Sequence, residues 1–177
     1  MRLSPLVRAV AALAVLASPL GAQAAPTTVI VVRHAEKLAD PPADPPLSAA
    51  GAARADALVE FAKDAGVQAV MSTQFQRTRM TAQPTAARLG LTPEIIDARA
   101  PMHAKVVADS IMAKHRGQTV LVVGHSNTVP DIVAALGAPK PAMICDDGYD
   151  NAFIVTVPSS GPASVVRLHY GAKASCP

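Results

Sequence analysis

The stretch TTVIVVRHAEK, residues 27–37, begins as a run of Val and Ile and then changes abruptly to charged residues. Its apolar part, Thr27 to Val32, is bounded by Pro26 and by polar residues, a pattern that predicts a buried strand. A second apolar run, Thr119 to Val123, predicts a similar strand and continues into Gly124-His125-Ser126-Asn127. Each of these two predicted strands therefore ends just before a histidine.

The remaining chain alternates predicted strands with predicted helices. Further short apolar runs predict strands at Val67–Met71, Ile95–Ile96, Phe153–Val157 and Val165–Tyr170. Helices are predicted between the N-cap Ser48 and Gly66, and over Gln74–Leu89, Met102–Arg116 and Pro130–Gly137. We expect Pro84 to kink or split the second helix near Met80, whose carbonyl loses its partner. Strands and helices in this alternation imply right-handed crossovers, a largely parallel sheet and one α/β domain.

Composition limits the class of protein. The chain has 177 residues, of which 50% are hydrophobic and 3% aromatic, so one globular domain with a core of Ala, Val, Leu and Ile is expected. A disordered protein would contain far fewer branched aliphatic residues. The formal net charge is only +3, and no cluster of Lys and Arg is longer than two residues, which argues against a nucleic-acid partner.

Residues 1–25 have the features of a cleavable signal peptide. Arg2 and Arg8 give a positive start, a short apolar run follows, and small residues near Ala24 provide a cleavage site. We therefore expect a protein that is exported to the periplasm or secreted, with residues 26–177 as the mature domain. The apolar run is too short to span a bilayer, so no stable membrane insertion is expected after processing. An uncleaved N-terminal anchor is the alternative.

Two cysteines, Cys145 and Cys176, lie in the predicted mature domain. In an oxidising compartment an even number of cysteines favours a disulfide, which here would tie the C-terminal tail to a loop. Two free thiols are the alternative, since the sequence does not show that the two side chains meet.

Basic side chains follow three of the predicted strands, so they are expected at the edge of the sheet where the carboxyl ends of those strands lie. The first strand runs into Arg33 and His34. The second leads to Arg77 in the first turn of a helix, and the strongest later strand runs into His125. Ligands of open α/β sheets collect beyond the carboxyl ends of the strands. The four side chains are therefore expected to surround one ligand.

These residue types suit a phosphoryl group. Arginine presents a planar fork of donors that matches phosphate oxygens, and it keeps its charge at any working pH. A neutral imidazole can attack phosphorus and accept the phosphoryl group, while a second, protonated imidazole can balance charge on the equatorial oxygens. This arrangement requires no metal, so the pattern predicts a metal-free phosphate site.

The motifs also resemble those of a known family. The run from Arg33 to Lys37 resembles the Arg-His-Gly signature of the histidine phosphatase superfamily, which includes the phosphoglycerate mutases. Ser72 to Ala82 resembles its second arginine segment, and Gly124 to Asn127 resembles its second histidine segment. The resemblance extends from Val29 to about Val157. It implies a three-layer α/β sandwich with a mostly parallel central sheet flanked by helices.

The resemblance implies roles for individual residues. His34 would be the phosphorylated nucleophile, Arg33 and Arg77 would bind the phosphate, and His125 would contact it from the other side. No cofactor is implied. Ala35 replaces the glycine of the signature, a change that leaves the turn feasible if φ stays negative. The other arginines expected to face solvent are Arg79, Arg88 and Arg99.

The catalytic acid is the main departure from the family pattern. The mutase-like branch carries a Glu after the third strand, but residues 97–103 contain none, and Ser126 stands where the acid-phosphatase branch has an Asp. Asp97 is the first candidate because it follows a strand end. The other candidates are His103, Glu36 and the pair Asp146 and Asp147. A good leaving group, as in a phosphohistidine or acyl phosphate, reduces the need for a proton donor.

The leading hypothesis is a metal-independent phosphatase that hydrolyses a phosphomonoester or phosphoramidate through a phosphohistidine intermediate on His34. The alternative is a non-catalytic module that binds a phosphorylated ligand and has lost its general acid. A metallohydrolase using His34, His103 and His125 fits worse, because the arginines would place positive charge beside the cation. The expected partner is a phosphorylated small molecule, an envelope saccharide or a phosphoprotein. The sequence determines neither the choice among these nor the oligomeric state.

Overall fold

A six-stranded sheet lies at the centre of the structure, a computed structural model that describes residues 24–176. Its strands are β1 (Thr27–Arg33), β2 (Val67–Ser72), β3 (Glu94–Ile95), β4 (Thr119–Gly124), β5 (Asn151–Val157) and β6 (Ser164–His169), in the order β3-β2-β4-β1-β5-β6. Strands β1 to β4 are parallel, whereas β5 and β6 are antiparallel to their neighbours. The sheet is mostly parallel, as predicted.

Helices cover both faces of this sheet. Helices α1 (Ala49–Ala62) and α2 (Gln76–Leu89) pack together on one face, and α3 (His103–Lys114) and α4 (Thr128–Ala135) pack together on the other. Successive residues of β1 point to opposite faces, so Ile30 joins the core beneath α1 and α2 while Val31 joins the core beneath α3 and α4. The predicted three-layer α/β sandwich is confirmed.

The boundaries of the elements follow local signals in the sequence. Ser48 is the N-cap of α1, as predicted, and its hydroxyl accepts a hydrogen bond from the Gly51 amide. Strand β3 begins one residue before its predicted start, and α4 begins two residues before Pro130. Gly117 follows α3 with a φ of 78°, a left-handed conformation that favours glycine.

The predicted split of α2 at Pro84 is wrong. The helix continues from Gln76 to Leu89 with Pro84 inside it. Residues on both sides of the proline are buried, including Ala82 and Ala86, and both belong to the core shared with α1. This packing offsets the hydrogen bond that the proline removes, because tertiary contacts supply most of the stability of a helix in a protein.

The predicted disulfide is present between Cys145 and Cys176. The predicted signal peptide falls almost entirely on residues 1–23, outside the described residues, so it stays a prediction. Within the described part of the chain, no helix combines the length and the apolar character needed to cross a membrane.

Candidate active site

The carboxyl ends of β1 and β4 bring the two predicted histidines together. The strands are neighbours in parallel register, with Arg33 opposite Gly124, and the His34 amide donates to the Gly124 carbonyl at 2.9 Å. The imidazole rings of His34 and His125 lie 5.4 Å apart between centroids. Both histidines, Arg33 and Arg77 line one cavity of about 350 Å³. The structure therefore assembles the four side chains that the sequence predicts as the phosphate site.

The His34 ring is held in one tautomer. Its Nδ1 lies 2.8 Å from the Ala35 carbonyl oxygen, which only accepts, so Nδ1 carries the proton and the Nε2 lone pair is free. Burial, together with the smaller effects of His125, Arg33 and Arg77, lowers the pKa of His34 to about 3. At neutral pH the imidazole is uncharged, the form a nucleophile requires.

A chain of hydroxyl groups orients His125. The Thr78 hydroxyl donates to the Phe75 carbonyl at 2.8 Å, so it accepts at 2.8 Å from the Thr73 hydroxyl. The Thr73 oxygen then accepts from His125 Nε2 at 3.0 Å, which leaves Nδ1 without the proton in the neutral ring. Thr73 and Thr78 are not among the site residues predicted from the sequence, although both lie inside the segment that follows β2.

Burial lowers the pKa of His125 to about 4, and the charges of Arg77, His103 and Arg33 act in the same direction. The ring is therefore neutral at neutral pH in the free protein. The sequence predicts a protonated role for this ring during phosphoryl transfer, and that role stays a prediction. An anion among these cations would raise the pKa again.

Arg33 is fixed by a loop far along the chain. Its Nη1 donates to the carbonyl oxygens of Cys145 at 2.9 Å and Asp146 at 2.7 Å, and its guanidinium lies 4.1 Å from the centre of the Tyr149 ring. Burial lowers the pKa of Arg33, but a guanidinium remains charged at any working pH. Its buried Nε has no hydrogen-bond partner among the described residues. The group thus retains a donor for an anionic ligand.

Arg77 lies at the start of α2. Its guanidinium stacks 4.3 Å from the centre of the Phe75 ring, and its Nη1 lies 3.7 Å from an Asp44 carboxylate oxygen. Its Nε is also buried without a partner in the described part of the chain. Asp44 belongs to the proline-rich segment after β1, so this segment borders the predicted phosphate site.

The turn after His34 packs tightly. The Ala35 amide donates to the Thr81 hydroxyl at 2.9 Å, and Ala35 keeps a negative φ, as the replacement of glycine requires. Glu36 forms an ion pair at 2.8 Å with the buried Arg54. Helix α1 approaches so closely that a Cβ at Gly51 would lie 2.0 Å from the Glu36 carbonyl oxygen. Glycine is required there by close approach.

The candidate acids lie at the edge of this site. The Asp97 carboxylate accepts from the Gln74 side chain at 2.6 Å and from the Arg99 amide at 2.9 Å, and it does not line the cavity. His103 is buried, with Nδ1 donating to the Asp97 carbonyl at 3.0 Å. Glu36 is paired with Arg54. The role of Asp97 as the acid stays a prediction.

Another cavity of the described structure does not bring two histidines together. A larger cavity of about 580 Å³ lies between the C-terminal tail and β5 and β6, but none of the four predicted phosphate ligands lines it. Among residues 24–176, no three His, Cys, Asp or Glu side chains are grouped to hold a metal ion. The cavity at His34 is therefore the better candidate for the active site.

Comparison with known proteins agrees with this geometry. Residues 29–103 match the model of the histidine phosphatase superfamily (branch 1). No curated protein matches the chain. Because the matched residues include His34 and Arg77, the match covers the first two of the three segments that build the site.

Solved structures of phosphatases share the fold. A protein histidine phosphatase SixA complexed with tungstate has a TM-score of 0.66 at 20% identity, with 80% of this chain and 96% of that chain covered. A mycobacterial glucosyl-3-phosphoglycerate phosphatase has a TM-score of 0.59 at 16% identity, with 82% and 99% covered. A phosphoserine phosphatase mutant from Entamoeba histolytica, in complex with phosphoserine, has a TM-score of 0.54 at 13% identity, with 76% and 95% covered.

These solved structures show the fold alone. Over residues 29–103 the chain therefore resembles the histidine phosphatase superfamily, branch 1, and phosphatases are among the proteins that share its fold.

Proposed function

We propose that the protein hydrolyses a phosphomonoester or phosphoramidate through a phosphohistidine intermediate on His34, without a metal ion. The tautomer of His34 carries this proposal. Its Nδ1 proton is committed to the Ala35 carbonyl, so the lone pair on Nε2 is available at neutral pH.

The reaction has two displacements at phosphorus. In the first, His34 Nε2 forms a bond to phosphorus while the bond from phosphorus to the leaving oxygen or nitrogen breaks. In the second, water attacks the phosphohistidine, releasing inorganic phosphate and restoring the free imidazole. Arg33 and Arg77 stabilise the charge on the equatorial oxygens, each with a buried Nε that lacks a partner in the described structure.

His125 is proposed to respond to the bound phosphate. The negative charge raises its pKa, so the ring can take up a proton on Nδ1 while Nε2 stays bonded to Thr73. The positively charged ring then balances charge in the transition state. Thr73 and Thr78 act as positioning residues because they fix the orientation of the ring.

The leaving group restricts the substrate. None of the described residues lining the cavity is Asp or Glu, and the carboxylates beside it are engaged, Asp44 with Arg77 and Asp97 with Gln74. A phosphohistidine whose second ring nitrogen is protonated leaves as neutral imidazole and needs little help. We therefore favour phosphoramidates, acyl phosphates and activated aryl esters over alkyl esters. A protein histidine phosphatase among the structural neighbours is consistent with this class.

Hydrolysis of p-nitrophenyl phosphate in the presence of a chelator tests the proposal. The wild-type protein should release p-nitrophenol, and His34→Ala should lose the activity. His115→Ala is the matched control, because His115 is bonded to Glu94 far from the cavity. Activity that persists in His34→Ala, or that the chelator removes from the wild type, would contradict the proposal.

The alternative is a module that binds a phosphorylated ligand without turnover. The same lack of a carboxylate among the described lining residues favours it. It predicts that vanadate and phosphate bind while phosphohistidine, acetyl phosphate and p-nitrophenyl phosphate all remain intact. Turnover of any of these compounds that depends on His34 would eliminate it.

A further inference from the structure

The cavity at His34 carries more positive charge than one phosphate ester needs. Arg33, Lys37, Arg77 and Arg99 all line it, and no described lining residue is acidic. Arg99 was expected to face solvent, and it is exposed, but its side chain borders the phosphate site. Neither Arg99 nor Lys37 forms an ion pair within residues 24–176.

Arg99 lies near Arg77, the predicted phosphate ligand. Both guanidinium groups lie over the Phe75 ring, Arg77 at 4.3 Å and Arg99 at 5.2 Å from its centre. Both distances are measured to the centre of the same ring. The separation of the two guanidinium carbons therefore cannot exceed the sum of these two distances. Such stacking is a favourable arrangement for arginine and an aromatic ring.

The loop that carries Arg99 is tied to the phosphate segment. The Gln74 side chain donates to the Asp97 carboxylate at 2.6 Å and accepts from the Ala98 amide at 2.9 Å. The same carboxylate accepts from the Arg99 amide at 2.9 Å. Gln74 directly precedes Phe75 in the chain, so the backbone of Arg99 is fixed relative to the ring on which its side chain stacks.

We infer that Arg99 forms a second anion-binding position beside the phosphate site, with Lys37 contributing positive charge to the same cavity. The preferred substrates then carry a carboxylate or a second phosphate within a few bonds of the scissile phosphate. This inference rests on the proposed phosphatase function, because it assumes that the scissile phosphate lies between Arg33 and Arg77. The inference also gives Asp97 a structural role, because its carboxylate holds the backbone of Arg99 against Gln74.

Two isosteric probes test the inference. 3-Carboxyphenyl phosphate and 3-carbamoylphenyl phosphate have nearly the same shape and leaving group, but only the first carries a second negative charge. For the wild-type protein we expect kcat/KM to be about threefold to fivefold higher for the carboxylate, the size of one exposed ion pair. Arg99→Gln should bring this ratio to about one, whereas Arg79→Gln, at an exposed position outside the cavity, should keep the wild-type ratio.

Binding of the same probes separates this inference from the proposed function. In a His34→Ala background, calorimetry should give the same ratio of dissociation constants, and Arg99→Gln should remove it. If neither probe is hydrolysed, and phosphohistidine, acetyl phosphate and p-nitrophenyl phosphate also remain intact, but the binding ratio depends on Arg99, the proposed function fails and the second anion position stands. If hydrolysis depends on His34 but the ratio is about one, or survives in Arg99→Gln, the second anion position is refuted.

Discussion

Replacing both Cys145 and Cys176 by Ser should destabilise the protein and weaken its phosphate site. The disulfide joins residues that are 31 positions apart. For a loop of that length, the entropy that the cross-link removes from the unfolded chain corresponds to about 4 kcal/mol, and measured values for disulfides are commonly about 2 to 4 kcal/mol. With a urea dependence of about 2 kcal/mol per molar, the midpoint should fall by about 1 to 2 M.

Loss of the disulfide should also affect the candidate active site, because Arg33 is bonded to the loop that contains Cys145. The Cys145 carbonyl accepts one of the two hydrogen bonds that fix this guanidinium, and Asp146 accepts the other. The tail itself keeps other contacts, since the Arg54 guanidinium donates to the Tyr170 and Ala172 carbonyls. We therefore expect a folded variant with weaker phosphate inhibition, by roughly threefold to tenfold, the scale of a partly lost hydrogen bond to a charged group.

Urea unfolding followed by circular dichroism, together with phosphate inhibition of p-nitrophenyl phosphate hydrolysis, provides the assay. Wild-type protein treated with a reductant serves as the control and should behave like the double Ser variant. An unchanged midpoint would refute the stability argument. A lower midpoint with unchanged phosphate inhibition would show that the disulfide does not help to place Arg33.

Two further predictions concern His34, His125 and the turn that follows His34. The pKa values of His34 and His125 lie near 3 and 4 in the folded protein, below the unfolded value of 6.5. As the pH falls below 6.5, the unfolded chain therefore binds more protons than the folded protein does. At pH 5, each of the two rings should lower the free energy of unfolding by about 2 kcal/mol. A His34→Gln/His125→Gln variant should lose less stability between pH 7.5 and pH 5 in urea unfolding, and an equal loss would contradict the assigned burial. Gly51→Ala should destabilise by about 1 to 3 kcal/mol despite its better helix propensity, because its Cβ would meet the Glu36 carbonyl at 2.0 Å. The control is Ala52→Gly at an exposed position of α1, which measures the difference in helix propensity alone. A Gly51→Ala variant more stable than the wild type would show that α1 can move away from Glu36.

The sequence predicts the fold well because its strands are short apolar runs with clear ends. The apolar runs of β1 and β4 stop directly before Arg33-His34 and before Gly124-His125, so the sequence alone places Arg33, His34 and His125 at one sheet edge. The predicted split at Pro84 is wrong because the local effect of a proline is visible in the sequence, while the packing of Ala82 and Ala86 that holds α2 together is not.

Other features of the site depend on contacts between distant segments. Arg33 is bound by carbonyls more than a hundred residues away, and backbone carbonyls leave no signature in a sequence. The pKa of His125 follows from burial, which a pattern of residue types does not quantify. The position of Arg99 over Phe75 likewise requires the Gln74 contacts that fold the loop back.

The most direct test of the proposed mechanism is to trap the phosphorylated protein. After rapid mixing with p-nitrophenyl phosphate and a quench at alkaline pH, where phosphohistidine survives, mass spectrometry and ³¹P NMR would locate the phosphoryl group. We predict phosphate on His34, linked through Nε2, because Nδ1 is bonded to the Ala35 carbonyl. Phosphate on His125, a linkage through Nδ1 of His34, or turnover with no phosphorylated histidine would contradict this mechanism.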